Sequence, residues 1–328
     1  MMPPTKVQRL LGGLLGVHAG DALGATLEFS TWHHIRTKYP DGLRTIVGGG
    51  PFGWPAGHAT DDTDLTRAVL LAYRARADGS AAGDVAKIAG DRMVDWLEGR
   101  WPDRSLGQGP VDMGAATGIG LQRYRSTRDP MRAGAGEGQA GNGSLMRCIA
   151  TGLFQPDRAS MIHESIRISA ITHDDRRCVV ACAAYNGIVR ALLGGAIPGD
   201  AVREGLAVAA ELEEDAAGLV QEAIRVGIDG VKVAELAETG PGPLKGKASG
   251  YVLESLTLAV SAVLDPRSFV DVLVDVVRVG RDTDTNGAIA GGLLGVRDGI
   301  EAIPKDWIDT LQFADEFTEV VTAMVADE

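Results

Sequence analysis

Aromatic side chains make up only 5% of this 328-residue chain, whereas glycine occurs 44 times. A core filled by large rings is thereby excluded, and close contact between helices is expected in its place. Positive charge is short as well. Lys and Arg number 32 against 44 Asp and Glu, a net charge of −12, the wrong sign for gripping a polyphosphate by counterion release. Nucleic acid is not an expected partner. Three cysteines, Cys148, Cys178 and Cys182, cannot all pair within the chain, and no C-x-x-C spacing occurs. Neither a disulfide scaffold nor structural zinc is indicated, and buried reduced thiols are expected. No uncharged apolar run reaches the roughly 18 residues of a membrane span. A cytoplasmic monomer off the membrane is the expectation.

The N-terminus carries one ambiguity. Lys6 and Arg9 precede an apolar stretch, and Val17-His18-Ala19 faintly matches a signal cleavage site. The GGLLGV string at 12–17 recurs at 291–296, however, where no export signal can lie. Both copies are read as packed helices whose glycines let two backbones approach closely, and the N-terminal copy is expected to remain on the mature protein.

Strand signals are scarce, the best being 42–47, while apolar spacing of the i, i+3, i+4, i+7 kind recurs along the chain. Helices are expected at 176–193, 200–212, 215–228, 251–264, 266–279, 284–298 and 304–325, with Pro266 and Pro304 in first turns. One all-α domain over 1–328 is the working architecture. The irregular Gly- and Pro-rich stretches 29–58 and 106–143 are longer than ordinary connections and belong to a site or a lid.

Chemistry concentrates in two acidic strings. Thr60-Asp61-Asp62-Thr63-Asp64 opens a helix. Capping and the helix dipole welcome one or two acids there, but three in four positions add repulsion that a simple cap avoids. Asp282-Thr283-Asp284-Thr285-Asn286-Gly287 again precedes a small-residue helix. It mimics the first half of an EF-hand loop and then fails, because the twelfth position is Leu293. Together the strings offer carboxylates and hydroxyls without His or Cys, a donor set for Mg²⁺ or Mn²⁺. Four of these carboxylates, Asp61, Asp62, Asp282 and Asp284, already exceed the need of one Mg²⁺, so a pair of ions about 3.5 to 4 Å apart is inferred.

Three further places matter. Glu28 follows Gly20-Asp21-Ala22-Leu23-Gly24 and could face a cavity. Residues 136–141 spell G-x-G-x-x-G, but the preceding 125–132 is polar, so no dinucleotide strand leads into it. The loop still offers backbone N–H groups to a phosphate as it runs into Asn142-Gly143-Ser144. Thr172-His173-Asp174-Asp175 opens another helix.

These elements resemble the ADP-ribosylglycohydrolase family over 7–296. The resemblance rests on GDALG at Gly20 with Glu28, TDDT at Thr60, DMG at Asp112, GNGSLMR at Gly141, TH at Thr172, SGYV at Ser249 and RDTDTNGAIAG at Arg281. It implies a compact orthogonal helical bundle with two Mg²⁺ or Mn²⁺ ions on Thr60, Asp61, Asp62, Asp282, Asp284 and Thr285. It further implies a phosphate loop at Gly138, Gln139, Gly141, Asn142, Gly143 and Ser144, with His173 near the ribose. Family members often carry a small hydroxyl and an aromatic before the GNG, whereas this chain has Gln139 and Ala140. The implied activity is removal of ADP-ribose from a modified acceptor, with arginine favoured and an ADP-ribosylated protein or small ADP-ribosyl molecule as substrate. Glu28, Asp61 and Asp112 are the candidate acids and bases. A dinuclear phosphohydrolase cutting the diphosphate, or a silent ADP-ribose-binding protein, are the alternatives.

Overall fold

The computed structural model describes residues 3–81, 83–213 and 218–326. Among them are 16 α-helices and no β-strand, so the all-α expectation holds. Residues 42–47 form no strand. Leu43 and Ile46 are buried in the helical core, and no extended neighbour lies beside them to complete a ladder.

Two helices dominate the centre, Lys6–Ala25 and Thr283–Asp298. A capping box starts the first, in which the Thr5 hydroxyl accepts from the Gln8 N–H while the Gln8 side chain accepts from the Thr5 N–H. The two run antiparallel and meet glycine against glycine. A Cβ on Gly16 would lie 2.2 Å from the Gly291 carbonyl oxygen, and one on Gly20 would lie 2.0 Å from that of Gly287. Real side chains never come so near a backbone, so only glycine allows this approach. The Thr283 hydroxyl donates to the Gly24 carbonyl at 2.7 Å and pins the crossing. Its consequence is positional: the end of the first helix, with Asp21 and then Glu28, lies beside Asp282 and Asp284.

Elsewhere the elements depart from the sequence pattern where tertiary contacts intervene. Residues 304–325 form two helices, Lys305–Ile308 and Ala314–Ala326. Leu311 and Phe313 turn into the core between them, and the Gln312 N–H donates to Gly57 at 3.0 Å. Pro304 immediately precedes the first helical residue. Pro266 lies outside its helix, which runs Phe269–Arg278 and is capped by Ser268, a better acceptor for the exposed N–H groups. Of 215–228, positions 215–217 lie outside the described residues, and the remainder is Leu219–Arg225 followed by a π-helical turn, Val226–Gly230. All three cysteines are buried and free. No helix among the described residues is long and apolar enough to cross a membrane.

Candidate active site

The Thr60 string is assembled by a residue to which sequence reasoning gave no role. Asp21, fully buried in the glycine-rich first helix, accepts from the Thr60 N–H at 3.1 Å, the Thr63 N–H at 3.2 Å and the Thr63 hydroxyl at 2.5 Å. The signal was available: an acid inside an otherwise apolar, glycine-lined helix must find buried donors. Asp21 thus holds the start of the Asp61–Ala77 helix, while the Thr60 hydroxyl accepts from the Asp62 N–H and donates to the Asp62 carboxylate at 3.2 Å. Asp64 leaves this group. Its carboxylate is taken up by the indole N–H groups of Trp96 and Trp101, which each donate to it at 2.7 Å.

Glu28, Asp112 and Asp284 each bring one carboxylate oxygen to within 4.8 Å of the others. Asp61, Asp62 and Asp282 stand within electrostatic reach of this trio. The Asn142 side chain donates to Asp282 at 2.7 Å and to Ser255 at 2.9 Å, tying the glycine loop to the second acidic string. Burial, and then the charges of Asp112, Asp282 and Asp21, push Glu28 up to about 8. Burial and then Asp282 raise Asp112 to about 6. Asp61, Asp62 and Asp284 are held well above the ordinary range, first by burial and then by neighbouring carboxylates. Buried oxygens on Glu28, Asp62 and Asp284 have no hydrogen-bond partner. Buried carboxylates that repel one another and leave lone pairs unused fit hard divalent cations. The fully buried Arg147 lies within reach of Asp61, but its own hydrogen bonds go to Gly143, Ile168 and Thr172.

Glu28, Asp61, Asp112, Asp284 and Thr285 border a cleft of about 410 Å³. Across it lie Gln139, Gly141, Asn142, Gly143 and His173. Two other loop residues sit elsewhere. The Gly138 N–H is already given to Asp175 at 2.7 Å, and the Ser144 hydroxyl lies in the core beside Ser169 at 2.9 Å. Asp175 also caps the Arg176–Leu193 helix, so one carboxylate ties that helix to the loop.

His173 is almost fully buried, and its pKa falls to about 3, first through burial and then through Arg147. It is therefore neutral, and its tautomer follows from its partners. Arg147, which can only donate, gives a hydrogen bond to the Thr172 hydroxyl at 2.7 Å, and that hydroxyl lies 2.8 Å from His173 Nδ1. Of the two groups that the Thr172 hydroxyl meets, only Nδ1 can accept, so Thr172 gives its own proton to Nδ1, leaving the proton of the ring on Nε2. Nε2 lies on the side of Gly141, where a Cβ would come within 3.3 Å of it. His173 thus presents a donor to the cleft.

The family model for ADP-ribosylglycohydrolase matches residues 2–328. An ADP-ribosyl-[dinitrogen reductase] glycohydrolase of Rhodospirillum rubrum is 30% identical over 95% of this chain and 92% of its own. An ADP-ribosylarginine hydrolase, Tri1, of Pseudomonas putida (strain GB-1) is 28% identical over 96% of this chain and 77% of its own. The ADP-ribosylhydrolase ARH3 of Mus musculus is 25% identical over 92% and 86%, respectively. A solved structure described as an ADP-ribosylglycohydrolase-related protein complex superposes with a TM-score of 0.76 at 28% identity, covering 98% of both chains. The chain belongs to the ADP-ribosylglycohydrolase family and is a hydrolase of glycosidic bonds.

Proposed function

We propose that this chain releases intact ADP-ribose from modified arginine side chains, with two Mg²⁺ or Mn²⁺ ions held by Thr60, Asp61, Asp62, Asp282, Asp284 and Thr285. The observation that carries the reading is the set of unpartnered oxygens on Glu28, Asp62 and Asp284 in a buried cluster of mutually repelling carboxylates. When bound, such ions supply positive charge that fixes the ribose hydroxyls and a nearby water. The chain's own residues do the rest. Gly141, Asn142 and Gly143 line the wall that receives the diphosphate, and His173 donates from Nε2 to an oxygen of the sugar. Cleavage at C1 of the distal ribose develops positive charge on the ring, which the surrounding carboxylates favour. Glu28 has an unpartnered oxygen with which to take a proton from the water that attacks C1, and Asp112, beside it, hands a proton to the departing guanidino nitrogen as the C1–N bond breaks. The Pseudomonas relative named for ADP-ribosylarginine supports the choice of acceptor.

Turnover of defined arginine- and serine-linked ADP-ribosyl peptides tests this reading. Release of intact ADP-ribose from the arginine peptide is expected, whereas AMP as product would move the reaction to the diphosphate. Titration calorimetry with Mn²⁺ on chelator-treated protein should give a stoichiometry near two. A value near zero would overturn the metal assignment. Asp62→Asn should abolish activity while leaving the circular dichroism spectrum intact.

A further inference from the structure

Rings are scarce in this protein, yet four of them line up at the surface beside the carboxylates. Phe29, the residue after Glu28, has φ of 60° and is 62% exposed. Bulky residues occupy that backbone region only where the surroundings impose it. Here the Phe29 N–H donates to the Arg281 carbonyl at 2.7 Å, which sets the residue at the border of the cleft. Its ring meets Phe52 edge to face at 6.2 Å, Phe52 lies 6.0 Å from Trp54, and Trp54 stacks on His58 at 4.8 Å and 17°. The ladder therefore runs from the cleft to a second, smaller cavity of about 130 Å³.

That cavity shares Asp61 and Asp112 with the cleft, so the two hollows adjoin at the same carboxylates. Trp54 and His58 form part of its wall, and Asp64 and Asp103 add further negative charge. Arg104 also borders it and stands 4.0 Å from Asp64. Aromatic faces joined to an excess of carboxylates make an environment for a planar cation, which stacks on rings and pairs with acids. At about four times the share of liquid volume that one water takes, the cavity suits a guanidinium but not a nucleotide.

We propose that the cavity and the Phe52–Trp54–His58 ladder form the acceptor subsite, and that they select the guanidinium of a modified arginine over a hydroxyl acceptor. The inference rests on the arginine reading above and adds where that acceptor sits. ADP-ribose occupies the cleft, the bond to be broken lies at the shared carboxylates, and the acceptor departs along the rings.

Kinetics of the metal-loaded, full-length enzyme on an ADP-ribosyl-arginine peptide tests it. Trp54→Leu should raise KM about tenfold, the size of one partly desolvated cation–π contact, with kcat altered less than about twofold. Phe52→Ser removes only a half-exposed ring and should raise KM in the same direction. Trp54→Phe should recover most of the loss. The Kd of free ADP-ribose, measured by calorimetry, should stay unchanged in all three. Unchanged KM in both Trp54→Leu and Phe52→Ser overturns the subsite, as does an equal weakening of free ADP-ribose, which would assign the rings to the cleft. A wild-type enzyme that leaves the arginine linkage intact overturns the arginine reading itself, an outcome visible before any variant is made.

Discussion

Within the same pair of helices, the glycine crossing and the acidic centre solve opposite problems. Along Gly12, Gly16 and Gly20 the backbones touch those of Gly295, Gly291 and Gly287 with no side chain between them. At the end of the same crossing, Asp21 and Asp284 are buried, each with one oxygen that finds no donor. The first region is tightly packed, and dense interiors do not deform gradually. The second is electrostatically unfavourable in the bare chain. Their adjacency shows what the crossing is for: carboxylates on looser elements would move apart or turn to solvent, whereas here the packed glycines hold them together. Repulsion held this way is open to relief by protons or by a cation, and not by relaxation.

The largest effect is expected at the crossing. Gly20→Val places a side chain 2.0 Å or less from where the Gly287 carbonyl now sits. Its cost should reach or exceed the upper end of the ~1–3 kcal/mol typical of overpacking. Urea denaturation should find little cooperative folding, and a wild-type midpoint would show that the helices can separate freely.

On the acidic side, Glu28→Gln keeps size and packing while removing the free carboxylate oxygen. Turnover should fall by roughly 10² to 10⁴, the range of a lost general acid or base, with KM changing less. A fully active, metal-replete variant would shift the role to Asp112 or Asp61.

A smaller effect is expected at Thr172, which joins Arg147 to His173. Thr172→Val removes the hydroxyl that directs the imidazole proton to Nε2, and kcat/KM should fall about tenfold, the worth of one hydrogen bond. Thr172→Ser should restore it. Nitrogen chemical shifts of labelled histidine provide the independent check, because the Nε2–H form should dominate in the wild type and mix with the other tautomer in the valine variant.

The smallest change is in pH dependence. Glu28 at about 8 and Asp21 at about 7 both lie above their ordinary values. Between the ordinary carboxylate range and those values, the folded, metal-free chain binds more protons than the unfolded chain. Its stability must therefore fall as pH rises through that window. Thermal unfolding of chelator-treated protein should show Tm dropping by a few degrees from about pH 5 to 8. Saturating Mg²⁺ should flatten the slope, and Asp284→Asn should reduce it. A flat metal-free profile would mean that the carboxylates are less crowded than their burial implies.

Much of this centre is legible in the residue pattern alone. Three acids in four positions exceed what a helix cap needs, and paired Asp with Thr but without His or Cys specifies hard-oxygen chemistry. Asp64 is not separable from its neighbours by that logic. Its partners, Trp96 and Trp101, lie 32 and 37 residues downstream, and nothing local distinguishes an acid aimed at indoles from one aimed at a metal. The same limit applies to 304–325, where helical periodicity continues across Leu311 and Phe313 although both are drawn into the core.

Residue pattern is enough for the class of fold, for the acids that could hold a cation and for the helices able to meet without side chains. Periodicity, residue chemistry and the absence of a Cβ are local properties. Tertiary contacts, by contrast, set Asp21 against Thr60, bring Glu28 and Asp112 to Asp284, and link Arg147 to His173 through Thr172. All three join segments distant in sequence, and the convergence on Asp284 depends on the antiparallel crossing that sets the end of the first helix beside it; the energies that select these contacts arise from packing between those segments.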